Sequence, residues 1–382
     1  MPRRVFITVG EVSGDANAAN FARELRSLEP DILIDGLGGP AMRAAGVTIH
    51  HDTVSRSAMG LRALLRAVEV RRLLAWTREY YQNTPPDLHV CVDSWTMNYH
   101  FARLARREGK PVFYYIAPQA WASRPGRAKR LRECVDLLAC ILPFEEQWFS
   151  SRGVNAKFVG HPLFDRLPPA ATERKEFLPA APVIGLIPGS RRAIARNNFP
   201  SLLEAAEIIR HEFPHTRFLI PTTENTDAII RSELNHRGDP NWFTETPNAF
   251  DELVRQCDLC LTVSGTATLH VAAHNVPMIV VYRGSWLLWN LLGRWIINAR
   301  TFAMVNILSG SDKHIVPEFI PWYGSAEGVA HCAIEFLRHP AMLDHQRQAL
   351  AEMLRPLAAP GASRKAAELA RKLMDEVRPQ LR

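Results

Sequence analysis

The sequence predicts an α/β protein made of two doubly wound, Rossmann-like domains. The chain has 382 residues, a length that suits two domains better than one. Short apolar runs alternate along it with helix-like stretches, which is the pattern of a parallel sheet with crossover helices. A segment rich in proline, alanine and charge interrupts this alternation once, at 166–182, and we interpret it as a linker.

The first domain is expected at 1–165. It opens with an apolar run at 5–9 that ends in a glycine, and a helix follows at about 16–27. Continuous apolar runs of this kind indicate strands that are buried on both faces. They predict further strands at 32–37, 88–92, 112–116, 137–142 and 157–160.

The second domain is expected at 183–360, with a C-terminal helix at 361–382. It should contain a helix at about 201–212 and strands at 183–188, 217–220, 259–263 and 277–282. We expect the two domains to face each other across a cleft. Its walls should be the loops at the carboxyl ends of the strands, where open α/β sheets bind ligands.

The composition limits the classes of partner. The formal net charge of +7 favours anionic partners, such as a nucleotide or an anionic membrane surface. No zinc-knuckle, RNA-binding or helix-turn-helix motif is present, so nucleic acid is not expected. The six scattered cysteines suit a reduced, cytoplasmic protein, and Cys257 and Cys260 fit the start of a buried strand better than a metal site. We find no signal peptide and no apolar run of about 20 residues that could span a membrane.

The loop after the first predicted strand, from Gly10 to Asp15, carries two carboxylates. Its glycines permit a tight turn and close approach of the backbone to a ligand. Ser13 or Asp15 could simply cap the helix that follows. Glu11 lies too early to cap the predicted helix, so we predict that it is catalytic. We expect Ser13, Gly14 and Asp15 to belong to a substrate-binding loop.

Asp93 follows another apolar strand directly. A general base must hold a carboxylate at a fixed point beside the hydroxyl that it deprotonates, and a strand end provides such a point. Asp93 could instead be the N-cap of the helix expected at 98–106, but Ser94 and Thr96 could cap that helix equally well. We predict that Asp93 is catalytic and that Asn98 belongs to the same loop.

The loop after the strand at 183–188 suits a phosphate group. Gly189 permits a turn, Ser190 offers a hydroxyl, and Arg191 offers a guanidinium group that can bind phosphate oxygens through two hydrogen bonds. We therefore predict that these residues bind a nucleotide phosphate.

The small residues Ser264, Gly265 and Thr266 form a second predicted phosphate site, where a strand meets a helix. Free backbone N–H groups and the helix dipole attract anions at such a point. His270 lies one helical turn beyond Thr266 and could reach a bound nucleotide, although it could equally be a structural histidine.

Two apolar and basic stretches, at 59–68 and 286–295, are candidates for membrane contact. Tryptophan favours membrane interfaces, and arginine favours anionic head groups. Either stretch could instead be an ordinary core helix or a dimer interface. The predicted contact residues are Leu61, Leu64 and Leu65 with Arg62 and Arg66 beside them, and Trp286 and Trp289.

With these loops in place, the chain resembles the bacterial lipid-A-disaccharide synthase family. The resemblance covers most of the length, and so many motifs in the same order are very specific. The matching motifs are 10–15 (GEVSGD), 38–42 (GGPAM), 59–60 (MG), Asp93 with Asn98, 115–122 (YIAPQAWA), 142–145 (LPFE), 159–162 (VGHP), 188–191 (PGSR), 264–267 (SGTA), 277–283 (PMIVVYR) and 306–308 (NIL).

The resemblance implies a GT-B glycosyltransferase fold and a hexosyltransferase activity in lipid A biosynthesis. The enzyme would transfer a 2,3-diacylglucosamine from UDP to the 6-hydroxyl of 2,3-diacylglucosamine 1-phosphate, at the inner face of the inner membrane. No metal or other cofactor is implied. Asn306, in the last motif, is assigned to the nucleotide site on the same ground.

Two positions and one stretch depart from the family motifs. Thr96 replaces a second carboxylate after Asp93, and His270 replaces a glutamate that would contact the ribose. The stretch from 310 to His314 is also altered. These changes concern the nucleotide and loop contacts, and Glu11, Asp93 and Arg191 are retained.

The mechanism that follows is a single displacement with inversion at the anomeric carbon. Asp93 would accept the proton of the 6-hydroxyl, and Glu11 would position the acceptor or share that task. Arg191, Ser190 and the helix start at 264–266 would stabilise charge on the leaving pyrophosphate. The alternatives are another UDP-sugar enzyme of this fold, such as a UDP-N-acetylglucosamine 2-epimerase, or a non-catalytic lipid-binding descendant.

Overall fold

The structure is a computed structural model that describes residues 2–55, 63–167, 177–238, 241–283, 301–310 and 314–377. The chain forms two compact units. Unit 1 comprises Met1–Arg166 together with Pro356–Arg382, and unit 2 comprises Leu167–Arg355.

Unit 1 is built on a sheet of seven parallel strands in the order β3-β2-β1-β4-β5-β6-β7. The central strands β4 and β5 are buried along their whole length, as their continuous apolar sequences predict. The strands are β1 (Arg4–Thr8), β2 (Leu33–Gly38), β3 (Thr48–Asp52), β4 (Leu88–Val92), β5 (Val112–Tyr115), β6 (Leu137–Cys140) and β7 (Ala156–Phe158).

Helices cover both faces of this sheet. Alternate residues of β1 point to opposite faces, so that Ile7 shares a core cluster with Phe21 of the helix Val12–Leu28, whereas Phe6 shares one with Phe101 of the helix Trp95–Arg107. The helices of this part of the chain are α1 (Val12–Leu28), α2 (Pro40–Ala44), α3 (Ala63–Asn83), α4 (Trp95–Arg107), α5 (Ala120–Ser123), α6 (Arg127–Cys134) and α7 (Pro143–Ser150).

Unit 2 repeats this architecture with six parallel strands in the order β10-β9-β8-β11-β12-β13. Its strands are β8 (Val183–Ile187), β9 (Arg217–Thr222), β10 (Phe243–Pro247), β11 (Leu259–Val263), β12 (Met278–Arg283) and β13 (Glu318–Trp322). Its helices are α8 (Arg192–Glu212), α9 (Asp227–His236), α10 (Phe250–Gln256), α11 (Thr266–Ala273), α12 (Met304–Ser309), α13 (Glu327–Arg338) and α14 (Pro340–Leu354).

The last helix, α15 (Ala362–Val377), returns to unit 1 and packs against α1. Asp165 fixes its start, because the carboxylate accepts hydrogen bonds from the backbone N–H groups of Gly361, Ala362 and Ser363 at 2.7, 3.0 and 2.8 Å. One side chain thus satisfies three N–H groups that a helix start leaves without partners inside the helix.

Each sheet has one switch point, where the chain reverses its direction of travel across the sheet. In unit 1 this point lies between β1 and β4, and in unit 2 between β8 and β11. Ligands of doubly wound folds bind outside the carboxyl ends of such strand pairs. All four loops that the sequence predicts to be functional follow these four strands.

The predicted fold class of two doubly wound parallel sheets is confirmed. Three strands were missed: β3, β10 and β13. Each is an edge strand with a polar or proline-containing sequence, so it lacks a continuous apolar run. The helix expected at 201–212 begins at Arg192 and continues through Pro200.

Two groups of predicted residues lie wholly or partly outside the described part of the chain. Leu61, Arg62, Trp286 and Trp289 lie outside it, as does most of the predicted linker. The segment with Leu64, Leu65 and Arg66 belongs to α3, but the description does not extend to their side chains. None of the helices in the described ranges combines the length and the apolar character needed to cross a membrane.

Candidate active site

Glu11 lies at the first switch point, at the N-cap of α1. The helix begins at Val12, earlier than expected, so the argument that Glu11 lies too early to cap it is wrong. Its side chain nevertheless makes no capping hydrogen bond. Glu11, Val12 and Ser13 are all exposed, which places the carboxylate and the Ser13 hydroxyl at the surface of the switch point.

Gly14 and Asp15 are buried, in contrast to the exposed start of the loop. A Cβ atom at Gly14 would lie 2.9 Å from Cγ1 of Val9 and 3.6 Å from Cβ of Asp93, so a glycine allows α1 to lie close to both strand ends. The Asp15 carboxylate accepts hydrogen bonds from the N–H groups of Gly39 (2.9 Å) and Ala41 (2.8 Å) at the start of α2. Asp15 therefore caps a neighbouring helix and holds this edge of the site.

Asp93 has a left-handed backbone conformation at the end of β4, with φ of 51°, and Ser94 follows with φ of 46°. Two successive residues other than glycine in this region are strained, and such strain is concentrated at functional sites. The surrounding structure holds the turn in place. Asp93 N–H donates to Tyr115 O at 3.0 Å, and Asp93 O accepts from Tyr114 Oη at 2.7 Å. The side chain of Asp93 is half-buried at the edge of the sheet.

Asn98 is the third support of this turn and is fully buried. Its Nδ2 lies 2.9 Å from the carbonyl oxygens of both Val92 and Asp93 and 3.2 Å from that of Thr8. Its Oδ1 accepts a hydrogen bond from Thr8 Oγ1 at 2.8 Å. One amide thus ties β1, β4 and the strained turn together. Asn98 belongs to the loop as predicted, and its amide serves the backbone.

A chain of buried polar side chains continues below Asn98. Thr8 Oγ1 lies 3.2 Å from His89 Nε2, and Tyr81 Oη lies 2.5 Å from His89 Nδ1. Burial lowers the pKa of His89 to about 3, so the imidazole is neutral at physiological pH. It can then donate from Nε2 to Thr8 and accept at Nδ1 from Tyr81. Sequence analysis missed these residues, because nothing in a buried strand sequence identifies the partner of a polar side chain.

Glu145 is a second buried carboxylate of unit 1, beside the ends of β5 and β6. Its oxygens accept hydrogen bonds from Trp121 Nε1 at 2.9 Å and from the N–H groups of Ile141 and Leu142 at 3.2 and 3.1 Å. Burial outweighs these donors and raises the pKa of Glu145 to about 7. This carboxylate was quoted only as part of a family motif, and its titration near neutral pH depends on burial that the sequence does not reveal.

At the second switch point, Gly189, Ser190 and Arg191 form the turn between β8 and α8. Gly189 has a φ of 93°, and a Cβ atom there would lie 3.0 Å from Cγ2 of Ile194. A glycine is therefore required by both conformation and space. Ser190 and Arg191 are exposed, and Arg191 occupies the N-cap position of α8.

Ser264, Gly265 and Thr266 form the neighbouring turn, between β11 and α11. Gly265 is the N-cap of α11, which begins at Thr266, so the first N–H groups of an eight-residue helix point out of this turn. Gly265 and Thr266 are exposed. Ser264 Oγ instead donates to Phe302 O at 3.0 Å and anchors the loop that precedes α12.

His270 lies on α11 one turn beyond Thr266 and shares a carboxylate with His274. Their Nε2 atoms lie 2.7 and 2.6 Å from Oδ1 of Asp251, and the His270 ring stacks on Phe250 at 4.5 Å. Among the described residues, this is one group that could hold a metal ion. Arg255 Nε, however, donates to His274 Nδ1 at 3.4 Å, which places the His274 proton on Nε2, facing Asp251. The arrangement therefore suits a hydrogen-bonded cluster better than a metal site.

Asn306 is fully buried and its amide is used within unit 2. Its Nδ2 donates to Val316 O at 2.9 Å and to the Glu318 carboxylate at 2.6 Å, and its Oδ1 accepts from Val316 N–H at 3.0 Å. Glu318 also accepts from the N–H groups of Phe302 and Ala303 at 2.9 and 3.0 Å. Asn306 thus fixes the loop on which Ser264 is anchored. His314 is exposed at the start of the next segment.

Solved structures of similar fold include nucleotide-sugar enzymes. A UDP-GlcNAc 2-epimerase from Neisseria meningitidis has a TM-score of 0.64 at 12% sequence identity, over 97% of this chain and 100% of the epimerase. The calicheamicin glycosyltransferase has a TM-score of 0.60 at 15% identity, over 99% of both chains. At these identities the similarity establishes the shared fold of two Rossmann-like domains.

Sequence relatives are more specific. A family model described as lipid-A-disaccharide synthetase matches residues 5–372. The lipid-A-disaccharide synthase of Geobacter metallireducens is 35% identical over 387 residues, covering 98% of both chains. That of Geobacter sulfurreducens is 36% identical over 372 residues, covering 95% of both chains. The chain therefore belongs to the lipid-A-disaccharide synthase family and is a hexosyltransferase, as its sequence predicted.

Proposed function

We propose that this protein transfers a 2,3-diacylglucosamine from UDP to the 6-hydroxyl of 2,3-diacylglucosamine 1-phosphate, with inversion at the anomeric carbon. The observation that carries this proposal is the turn at Asp93. A carboxylate at a switch point is held in a left-handed conformation by three separate hydrogen-bonding groups. Family membership supplies the substrate class.

Asp93 is the proposed general base. Its backbone is fixed on both sides, so the carboxylate can stay beside a hydroxyl without reorganising during the reaction. Glu11 offers a second, exposed carboxylate at the same switch point, and we assign it to positioning the acceptor. Asn98 is a positioning residue, because its amide bonds the backbone of the turn that carries Asp93. Asp15, on the loop that carries Glu11, is another, because its carboxylate ties that loop to the backbone N–H groups of Gly39 and Ala41.

The donor is proposed to bind at the second switch point. Arg191 and Ser190 on one loop, and the helix start at Thr266 on the other, offer N–H and O–H donors to the pyrophosphate of UDP. As the bond to the anomeric carbon breaks, negative charge grows on that pyrophosphate, and these donors stabilise it. Ser264 and Asn306 act indirectly, since both hold the loop at 302–303 in place. The new glycosidic bond forms at the acceptor oxygen, and UDP leaves.

The test is an assay of UDP release with both acylated sugars, combined with mass spectrometry of the product. Asp93→Asn should lose product formation by roughly 100-fold or more while keeping its affinity for UDP. Asp31→Asn, at an exposed aspartate of the same unit, is the matched control and should retain activity. Full turnover by Asp93→Asn would refute the assignment of the base.

The same assay addresses the alternative of an epimerase, which shares the fold. An epimerase would interconvert a UDP-sugar without needing an acylated acceptor. UDP release that depends on that acceptor supports the transferase. Epimer formation in its absence would favour the other enzyme class.

Contact with the inner face of the inner membrane remains part of the proposal. Both substrates carry acyl chains, which are unfavourable in water. Binding to anionic liposomes should weaken as salt is added, because charged head groups are screened. Failure to bind at any salt concentration would refute this surface role.

A further inference from the structure

A group of arginine and aromatic side chains in unit 1 lies beside the Asp93 turn and has no role in the contacts described above. We call it the arginine–aromatic cluster. It lies where α4 meets α6, and it consists of Trp95, Tyr99 and Arg103 of α4, Arg124 just before α6, and Arg127 and Arg130 of α6.

Two stacked rings form the base of the cluster. Trp95 and Tyr99 lie one helical turn apart, with ring centroids 5.0 Å from each other and an interplanar angle of 24°. The Arg127 guanidinium carbon lies 5.5 Å from the Trp95 ring centroid, and those of Arg103 and Arg130 each lie 5.6 Å from the Tyr99 centroid. Cation–π contacts of this kind attract the guanidinium groups to the ring faces.

The positive charge of this cluster has no internal counter-ion among the residues that the structure describes. No carboxylate there lies within 4.0 Å of Arg103, Arg124, Arg127 or Arg130. By contrast, Arg106, one turn beyond Arg103, pairs with a carboxylate at 2.6 Å. Burial, together with the charges of Arg124 and Arg130, lowers the pKa of Arg127. The positive charges of these arginines repel one another, and a bound anion would reduce that repulsion.

The cluster begins directly beside the proposed base. Trp95 follows Asp93 by two residues, and its ring centroid lies 6.4 Å from that of Tyr114. Tyr114 in turn donates its hydroxyl proton to the Asp93 carbonyl oxygen at 2.7 Å. Arg127, which lies over Trp95, is therefore connected to the Asp93 turn through two neighbouring rings, those of Trp95 and Tyr114. The proposed acceptor carries its reacting hydroxyl and its phosphate on a single sugar ring.

We propose that Arg127, assisted by Arg124 and Arg130, binds the phosphate monoester of the acceptor sugar while Asp93 accepts the proton of its hydroxyl. This inference rests on the proposed function. A guanidinium group can bind two phosphate oxygens at once, and a fixed anion site would orient the sugar ring relative to the base. It would also distinguish the acceptor from an uncharged diacylglucosamine.

The test compares two acceptors in detergent micelles: the diacylglucosamine 1-phosphate and the same sugar without phosphate. Arg127→Ala should raise the KM of the phosphorylated acceptor by roughly 10- to 100-fold, the range for a lost charge-assisted hydrogen bond. The KM of the donor should not change, and neither should the KM of the unphosphorylated acceptor. Arg127→Lys should fall between the wild type and Arg127→Ala, because lysine keeps the charge but loses the two-pronged geometry.

Arg132→Ala is the matched control. Arg132 is an exposed arginine of the same helix that lies against Gly153, away from the rings of the cluster. It should leave the KM of both acceptors unchanged. An unfolding midpoint measured for each variant separates loss of phosphate binding from loss of structure.

Three results would overturn the inference. One is an unchanged KM for the phosphorylated acceptor in Arg127→Ala, and another is an equal rise for both acceptors. The third is a loss confined to binding of phosphatidylglycerol vesicles with normal kinetics in micelles, which would identify a lipid head-group site instead. Failure of the wild type to use either acceptor would refute the proposed function itself. The two kinds of failure are distinguishable, because this one is seen in the wild type and the others are seen only in the variants.

Discussion

The amide of Asn98 offers the sharpest test of how the active-site turn is held. Asn98→Ala removes a fully buried group that has four hydrogen-bond contacts with β1, β4 and the Asp93 turn. Its two N–H protons and its oxygen can make three full hydrogen bonds. At about 1 kcal/mol net for each bond, the variant should lose about 3 kcal/mol of unfolding free energy.

Asn98→Asp has the same shape but replaces the donor with an oxygen that faces carbonyl oxygens. Once ionised, it should be less stable than Asn98→Ala, because the new oxygen repels the carbonyl oxygens that Nδ2 bound, and this repulsion in a buried site outweighs the retained bond from Thr8. Its native state must either bury a charge or keep a proton, so the folded pKa of the new carboxyl should exceed the unfolded value. Stability should then fall further as the pH rises above about 4.

The assay is urea unfolding followed by tryptophan fluorescence at pH 5 and pH 8. Because the chain forms two compact units, two transitions are expected, and the loss should be confined to that of unit 1. Asn83→Ala, which removes an exposed amide of the same unit, should change the stability by less than about 0.5 kcal/mol. A loss below about 1 kcal/mol in Asn98→Ala, or no pH dependence in Asn98→Asp, would refute this account of the turn.

Three further predictions concern other parts of unit 1. Because burial raises the pKa of Glu145 from 4.5 to about 7, stability that is present below pH 4.5 is lost as the pH rises to 7. The loss should be about 3 kcal/mol, and Glu145→Gln should remove this slope in pH-dependent unfolding. Asp165→Ala should cost about 2 kcal/mol in thermal unfolding, because three N–H groups at the start of α15 lose their acceptor. Gly14→Ala should lower kcat while UDP binding stays normal, because the new methyl group meets Val9 and pushes α1 away from Asp93.

The sequence predicts those elements best in which burial requires one apolar residue after another. The strand β11 was predicted with its observed bounds because all five of its residues are buried and only Thr262 interrupts the apolar run. The edge strand β10 has the sequence FTETP and was missed. One of its sides has no neighbouring strand, and its polar side chains remain partly exposed.

Helix starts were less predictable, because glycine and proline have more than one use. The helices α1 and α8 were expected to begin at about 16 and 201, just after Gly14 and Pro200, residues that are unfavourable inside a helix. Gly14 instead lies in the first turn of α1, where the close approach of Val9 leaves no room for a side chain. Pro200 lies inside α8, which begins eight residues earlier, at Arg192. In both cases tertiary packing outweighs the local preference.

The loops of the site could be predicted, but the groups that support them could not. Glu11, Asp93 and Arg191 were proposed because polar residues follow apolar strands at the edge where ligands bind, and the structure places the loop of each at a switch point. Thr8 and His89 lie inside strands, and their sequence neighbours do not show that they bond to each other. Only the pairing of β1 with β4 brings them together.

His270 shows why one departure from a family motif must be considered together with its surroundings. The resemblance to the family implies a glutamate at this position, whereas here the imidazole bonds to Asp251 at 2.7 Å. A glutamate at position 270 would bring its carboxylate close to that of Asp251 on the neighbouring helix, and the two negative charges would repel each other. His274 would be the nearby hydrogen-bond partner of both. His270 and Asp251 must therefore be considered as a pair, because the imidazole is the partner of this carboxylate where a glutamate would repel it.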